Sequence, residues 1–220
     1  MTKEQSNFTN SVTKNRLRRL INYVNWRHHR SDLVTRLIKI TEKINAKEFL
    51  IAVYADSAKT KPYVEGNDSI AVRIAMQPTW IHYHENETIT NDYETGATLI
   101  ISHSDAGFNT VFINPAKSKQ SGADHKVIIA YHDMYGVKIS DKKLNRLIDS
   151  LCLYHMYTSV LFENSVLLRF KILVLKAKDF YYRYLDGDNK FKYAAGIYIP
   201  LASLVISLIA LVVAFIFSSP

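Results

Sequence analysis

The sequence predicts an α+β domain joined to one membrane-spanning helix. Three observations carry that expectation. Apolar residues recur at helical spacing near both ends of the first 185 residues, and they alternate at period two between about residues 48 and 132. The third is the run from Tyr193 to Phe217, 25 residues without Asp, Glu, Lys, Arg or His. Such a run can cross a hydrocarbon core of about 30 Å with some tilt. A soluble core helix of that length normally shows a polar face, and this one shows none. The expected order is an N-terminal helical hairpin, an antiparallel sheet, two further helices and one C-terminal transmembrane helix. In domain terms, 1–186 reads as a cytosolic α+β ligand-sensing domain, 187–192 as a linker and 193–217 as the span.

The elements follow in order. Ser11 can cap a first helix that carries Leu17, Leu20, Ile21 and Val24 on one face. "SDL" at Ser31–Leu33 reads as a second cap, opening a helix with Leu33, Leu37, Ile40 and Ile44 and so completing the hairpin. "EFLIAVYA" and "IAVRIAMQ" read as strands, the second with Ile70, Val72, Ile74 and Met76 on one side. "ATLIISH" and "FNTVFIN" flank "SDAG" at Ser104–Gly107, a hairpin signal, and "KVIIAYH" supplies another strand. Between them, Asn114 to Gly122 is a polar loop with Lys117 and Lys119. Ser140 caps a helix with Leu144, Leu147, Ile148, Leu151 and Tyr154 along one face. The stretch 163–185 is the last helix before the span, apolar at Val166, Leu167, Phe170, Leu173 and Val174.

Charge is unevenly placed. The chain carries a net +8, and residues 1–50 hold eleven Lys/Arg against four acidic residues. A concentrated basic stretch implies a polyanionic neighbour. Arg16, Arg19, Tyr23, Arg27 and Arg30 follow steps of 3 and 4, with Trp26 close by. Cations interleaved with aromatics suit phosphate contacts and base stacking, so these six are the expected ligand-binding residues.

No catalytic constellation stands out. "HYHENE" sets His82 and His84 on the same side of a strand, short of the ligands a zinc site needs. In "SHSDAG", Ser102, His103 and Asp105 are close in sequence, but alternation sends neighbouring side chains of a strand to opposite faces. There is no glycine-rich phosphate loop, CxxC pair or HExxH, so neither a cofactor nor a metal is expected. The single cysteine, Cys152, excludes an internal disulfide and agrees with a reducing compartment.

Within the apolar run, Gly196, Pro200, Ser203, Ser207, Ala210 and Ala214 recur at steps of 3 and 4. Small residues on one stripe let helices approach closely, and the 3.5-residue period favours a left-handed bundle. The stripe therefore reads as an oligomer seam and a candidate pore lining. The N-terminus, "MTKEQSNFTN", is polar and lacks a secretory pattern, so the span is expected to come last, as in a tail-anchored protein. Arg183, Lys190 and Lys192 precede it and "SSP" follows, which places the large domain in the cytoplasm at the inner membrane.

This layout resembles the membrane effectors of bacterial anti-phage systems in which a nucleotidyltransferase makes a nucleotide signal. More narrowly, it is similar to the transmembrane effectors of Hailong systems. The resemblance implies a homotetrameric channel gated by a short single-stranded DNA oligomer that a partner nucleotidyltransferase makes. Two other classes remain open from the sequence. One is a non-channel adaptor docking on acidic lipid or a protein, and the other is a membrane-tethered enzyme.

Overall fold

The computed structural model describes residues 2–45, 50–55, 68–83, 89–104, 107–122 and 124–185. The chain divides into two units, Met1–Asp179 and Phe180–Pro220. In the second unit the residues described beyond Phe180 form one π-helical turn, Tyr181–Leu185. The expected linker, the expected span and its seam residues all lie outside the described residues. Among the described residues no helix is long and apolar enough to cross a membrane.

The chain begins with one helix, not a hairpin. Helix α1 runs unbroken from Lys3 to Ile44, capped by Thr2 in a reciprocal box with Gln5. Ser11 and Ser31, both expected as caps, lie inside it. "HHRSDL" contains neither Gly nor Pro, and Ser and Asp cost a helix interior only about 0.5 kcal/mol each. Side chains offset that cost: Asp32 pairs with Arg36 one turn on at 3.0 Å. The Thr35 hydroxyl donates to the Ser31 carbonyl at 3.0 Å. Packing of Trp26 before the expected break and of Leu33 and Leu37 after it fixes a single axis. The helix stops at Asn45, whose Oδ1 accepts the N–H groups of Leu50 and Ile51, both at 2.9 Å.

Strands β1 (Ile51–Ala55), β2 (Asp68–Ile74), β3 (Gln77–Tyr83), β4 (Ile89–Glu94), β5 (Thr98–His103), β6 (Asn109–Asn114) and β7 (Ile128–Asp133) follow. Five of them make an antiparallel sheet in the order β1-β2-β5-β6-β7, and β3 pairs with β4 as a separate ribbon. The period-two pattern sets the register. Ile70 pairs with Ile101 and Ile101 with Val111, while Val72 pairs with Leu99 and Leu99 with Ile113. All six are fully buried. Met76, expected in line with them, lies beyond the end of β2 and is exposed. Gly96 joins β4 to β5 where a Cβ would stand 2.3 Å from the Ile74 carbonyl oxygen, so only glycine fits.

Helix α2 (Asp141–Thr158) starts at the expected cap, Ser140. It brings Leu144, Leu147, Ile148, Leu151 and Tyr154 into the same core as α1 and the sheet. Each fully buried Leu or Ile contributes roughly 1.5–3 kcal/mol relative to an exposed one. Helix α3 (Val166–Phe180) buries Leu168, Ile172 and Leu175. Asp179 near its end accepts the N–H of Ile129, so α3 occupies a backbone donor on the edge strand β7.

Two helices turn outward the faces that the sequence makes most apolar. Leu17, Leu20 and Val24 on α1 are each more than half exposed. The opposite face of α1, with Asn22 and Trp26, meets the sheet. On α3, Val166, Leu167, Phe170 and Leu173 are exposed by 84, 64, 65 and 63%, which sets them apart from the inward Leu168, Ile172 and Leu175.

Candidate ligand-binding face

The six residues expected to bind ligand fall into two groups. Arg16, Arg19 and Arg27 are exposed along α1, and Tyr23 is half-buried beside them. The Arg27 guanidinium lies 5.7 Å from the Tyr23 ring centre. Trp26 and Arg30 instead point toward the sheet. The Trp26 indole N–H donates to Asp68 at 2.8 Å. Arg30 reaches the same carboxylate through Nε at 2.6 Å and a terminal nitrogen at 3.1 Å. Trp26 stacks on His103, with ring centres 5.3 Å apart and planes 16° apart. These two residues therefore build the platform that holds α1 on the sheet.

The platform extends to residues that sequence spacing did not single out. Arg18 lies 4.4 Å over the Phe108 ring. Gly107, at φ +74°, brings the turn between β5 and β6 so close that a Cβ there would meet Arg19 Cγ at 2.9 Å. Asn22 is fully buried, and neither of its side-chain polar atoms has a hydrogen-bond partner among the described residues. Gly136, at φ +61°, sits against both Asn22 and Asn109. These contacts join α1 to a distant turn, and local periodicity carries no signal for them. The face thus has a fixed base of aromatic and amide groups and an outer row of arginines.

His103 of "SHSDAG" is buried under Trp26, whereas Ser102 lies on the other side of β5 and Asp105 is outside the described residues. The His82 side chain and all of His84 to Glu87 are outside them too. Among the described residues no group of three or more His, Cys, Asp or Glu could hold a metal ion. Cys152 is partly buried in α2, and desolvation pushes its thiol pKa up, away from the reactive thiolate.

A concavity of about 350 Å³ opens in the loop after β6, lined by Pro115, Ala116, Lys117, Ser118, Ser121, Gly122, Asp124 and His125. The loop is pinned on two sides. Lys117 exchanges backbone hydrogen bonds with Thr95 at 2.8 and 3.0 Å, and the Ala116 N–H donates to Thr158. Lys119 and Gln120 both reach Asp92 on β4 at 3.0 Å. Burial, with the positive charge of Lys176 as the next cause, holds His125 below its ordinary pKa.

Compared with known proteins, the chain matches no family model, no curated protein and no solved structure.

Proposed function

We propose that this protein is a homo-oligomeric membrane effector. In this reading its α+β domain binds an anionic nucleotide or a single-stranded oligonucleotide, and residues 193–217 of each copy assemble into a channel or membrane-disrupting bundle. The ligand part rests on one observation, the exposed row of Arg16, Arg19 and Arg27 with Tyr23 among them. From residue 16 to 27 the row covers about 16 Å of helix, room for several backbone phosphates. The rigid base below it limits the ordering that binding would require. The membrane part rests on the uncharged run and its small-residue stripe. A tetramer would set Ser203 and Ser207 as hydroxyl rings around a narrow lumen. Anti-phage defence with a nucleotidyltransferase partner, at the inner membrane, is the setting that the layout resembles.

The test is binding of a fluorescent single-stranded DNA oligonucleotide to the full chain in detergent, measured across salt. If three phosphates are neutralised, affinity falls about 20-fold between 50 and 200 mM salt. Arg19→Glu with Arg27→Glu should weaken binding at least tenfold at low salt. Binding that ignores both salt and that double change would remove α1 as the site.

The loop concavity favours a second reading, in which the ligand's phosphate enters beside Lys117, Ser118, Ser121 and His125. Binding that survives the α1 changes but is lost in Ser121→Asp with His125→Asp would select it.

A further inference from the structure

The outward face of α3 calls for an occupant. At about 100° per residue, Leu167, Phe170, Leu173 and Val174 form one stripe, directly opposite the core-facing Leu168, Ile172 and Leu175. Cations border that stripe on both edges, Arg169 and Lys176 on one and Lys171 and Lys178 on the other. All four are exposed. The one acidic residue of the helix, Asp179, faces inward to accept the Ile129 N–H. An apolar stripe between two cationic edges is the pattern of a helix lying in a membrane interface, where long basic side chains reach up to the headgroups while apolar groups sink among the acyl chains.

We propose that this face of α3 docks flat on an anionic bilayer, the occupant being acidic lipid. The inference rests on the membrane reading of residues 193–217. It is favoured by charge complementarity and by chain length. From Phe180, the last residue of α3, to Tyr193 the chain can reach at most about 45 Å, so a span starting at Tyr193 keeps that end of α3 within reach of the surface. A second copy is a poorer occupant, because two such stripes face to face would bring like charges together along both edges. Clustered cations next to a span add attraction to an acidic leaflet, and that attraction is screened by salt.

The experiment uses the full chain in vesicles, with Cys152→Ala to remove the native thiol. Phe170→Cys carries an environment-sensitive fluorophore in one preparation, and Lys142→Cys on α2 carries it in another. Each is reconstituted with 30% phosphatidylglycerol in phosphatidylcholine, or with phosphatidylcholine alone, together with a lipid spin-labelled near the headgroup. The proposal expects position 170 to be quenched at least threefold more in the anionic vesicles than in the neutral ones, with position 142 unquenched in both. Changing Arg169, Lys171, Lys176 and Lys178 to Glu should abolish the difference. Equal quenching in both lipids, no quenching at position 170, or a disulfide between two unlabelled copies of the Phe170→Cys chain in place of lipid contact would each overturn it. Alkaline extraction of the same vesicles reads the span separately. Retention with position 170 unquenched removes the docking surface and keeps the span. Release with position 170 quenched at neutral pH does the reverse.

Discussion

Arg30 of α1 and Asp68 at the start of β2 meet through two nitrogens and two oxygens, at 2.6 and 3.1 Å, and the Trp26 indole closes on the same carboxylate. One acidic side chain thereby serves three donors from two turns of a helix. This explains how the polar groups of the Trp26–Arg30 turn hold to the sheet alongside the apolar packing of Leu33 and Leu37. The guanidinium and carboxylate are each less than one-fifth exposed, so the pair lies mostly out of water.

Asp68→Ala should cost about 2–3 kcal/mol in chemical denaturation, because it removes the carboxylate that the buried Trp26 indole N–H and the shielded Arg30 guanidinium share. Asp68→Asn should cost less, since an amide oxygen still accepts. A loss below about 0.5 kcal/mol for the alanine change would mean that the pair does not anchor α1.

Ser31→Pro separates one helix from two. In the interior of α1 proline removes a hydrogen bond and clashes with the preceding turn, costing about 3 kcal/mol. At the corner of a hairpin it would be tolerated. Circular dichroism with thermal unfolding should show a clear fall in midpoint, and an unchanged midpoint would favour the hairpin.

Gly96→Ala places a methyl group 2.3 Å from a backbone oxygen and should destabilise by about 2 kcal/mol or more. Gly122→Ala meets nothing within 4 Å and should be close to neutral. The pair gives a matched control for the close passage between β2 and the β4–β5 link.

His155 is buried, and its Nδ1 faces the Ala97 N–H at 3.5 Å. Desolvation lowers its pKa below the ordinary 6.5, with Glu94 opposing. A lowered folded pKa means that the unfolded chain takes up the proton first, so stability falls as pH drops below about 6.5. Thermal midpoints between about pH 7.5 and 5 should therefore decline, and His155→Gln should flatten part of that decline. His29 and His125 are shifted the same way and account for some of the remainder.

The sheet is legible in the sequence where both neighbours of a strand are covered. Ile70, Val72, Leu99, Ile101, Val111 and Ile113 alternate because one face of each strand meets helices. β4, "ITNDYE", carries no such signal because a two-stranded ribbon needs no alternation, and four of its six side chains are polar. The helices are harder to read. Periodicity finds an apolar stripe but not the direction it faces. Leu17, Leu20 and Val24 look like a core face, yet the face that packs is held by Trp26, Arg30 and the distant Asp68. α3 has apolar groups on two sides, and the sequence alone does not say which three enter the core. Of the candidate site, the arginine row is visible as spacing, but its base is not. Arg18 with Phe108, and Asn22 with Asn109 and Gly136, come together only through the fold.

In the proposed function an anionic ligand on the α+β domain controls passage of solute through the assembled spans. The most direct test is dye or ion release from liposomes holding the full chain, measured with and without a single-stranded oligonucleotide at low salt. Release should change at least fivefold on adding the oligonucleotide. In the Arg19→Glu and Arg27→Glu double variant that response should be lost, with release staying at its ligand-free level, and release itself should be lost when Ser203 and Ser207 both become Leu. No release from the unaltered protein under either condition, or release indifferent to both sets of changes, would contradict it.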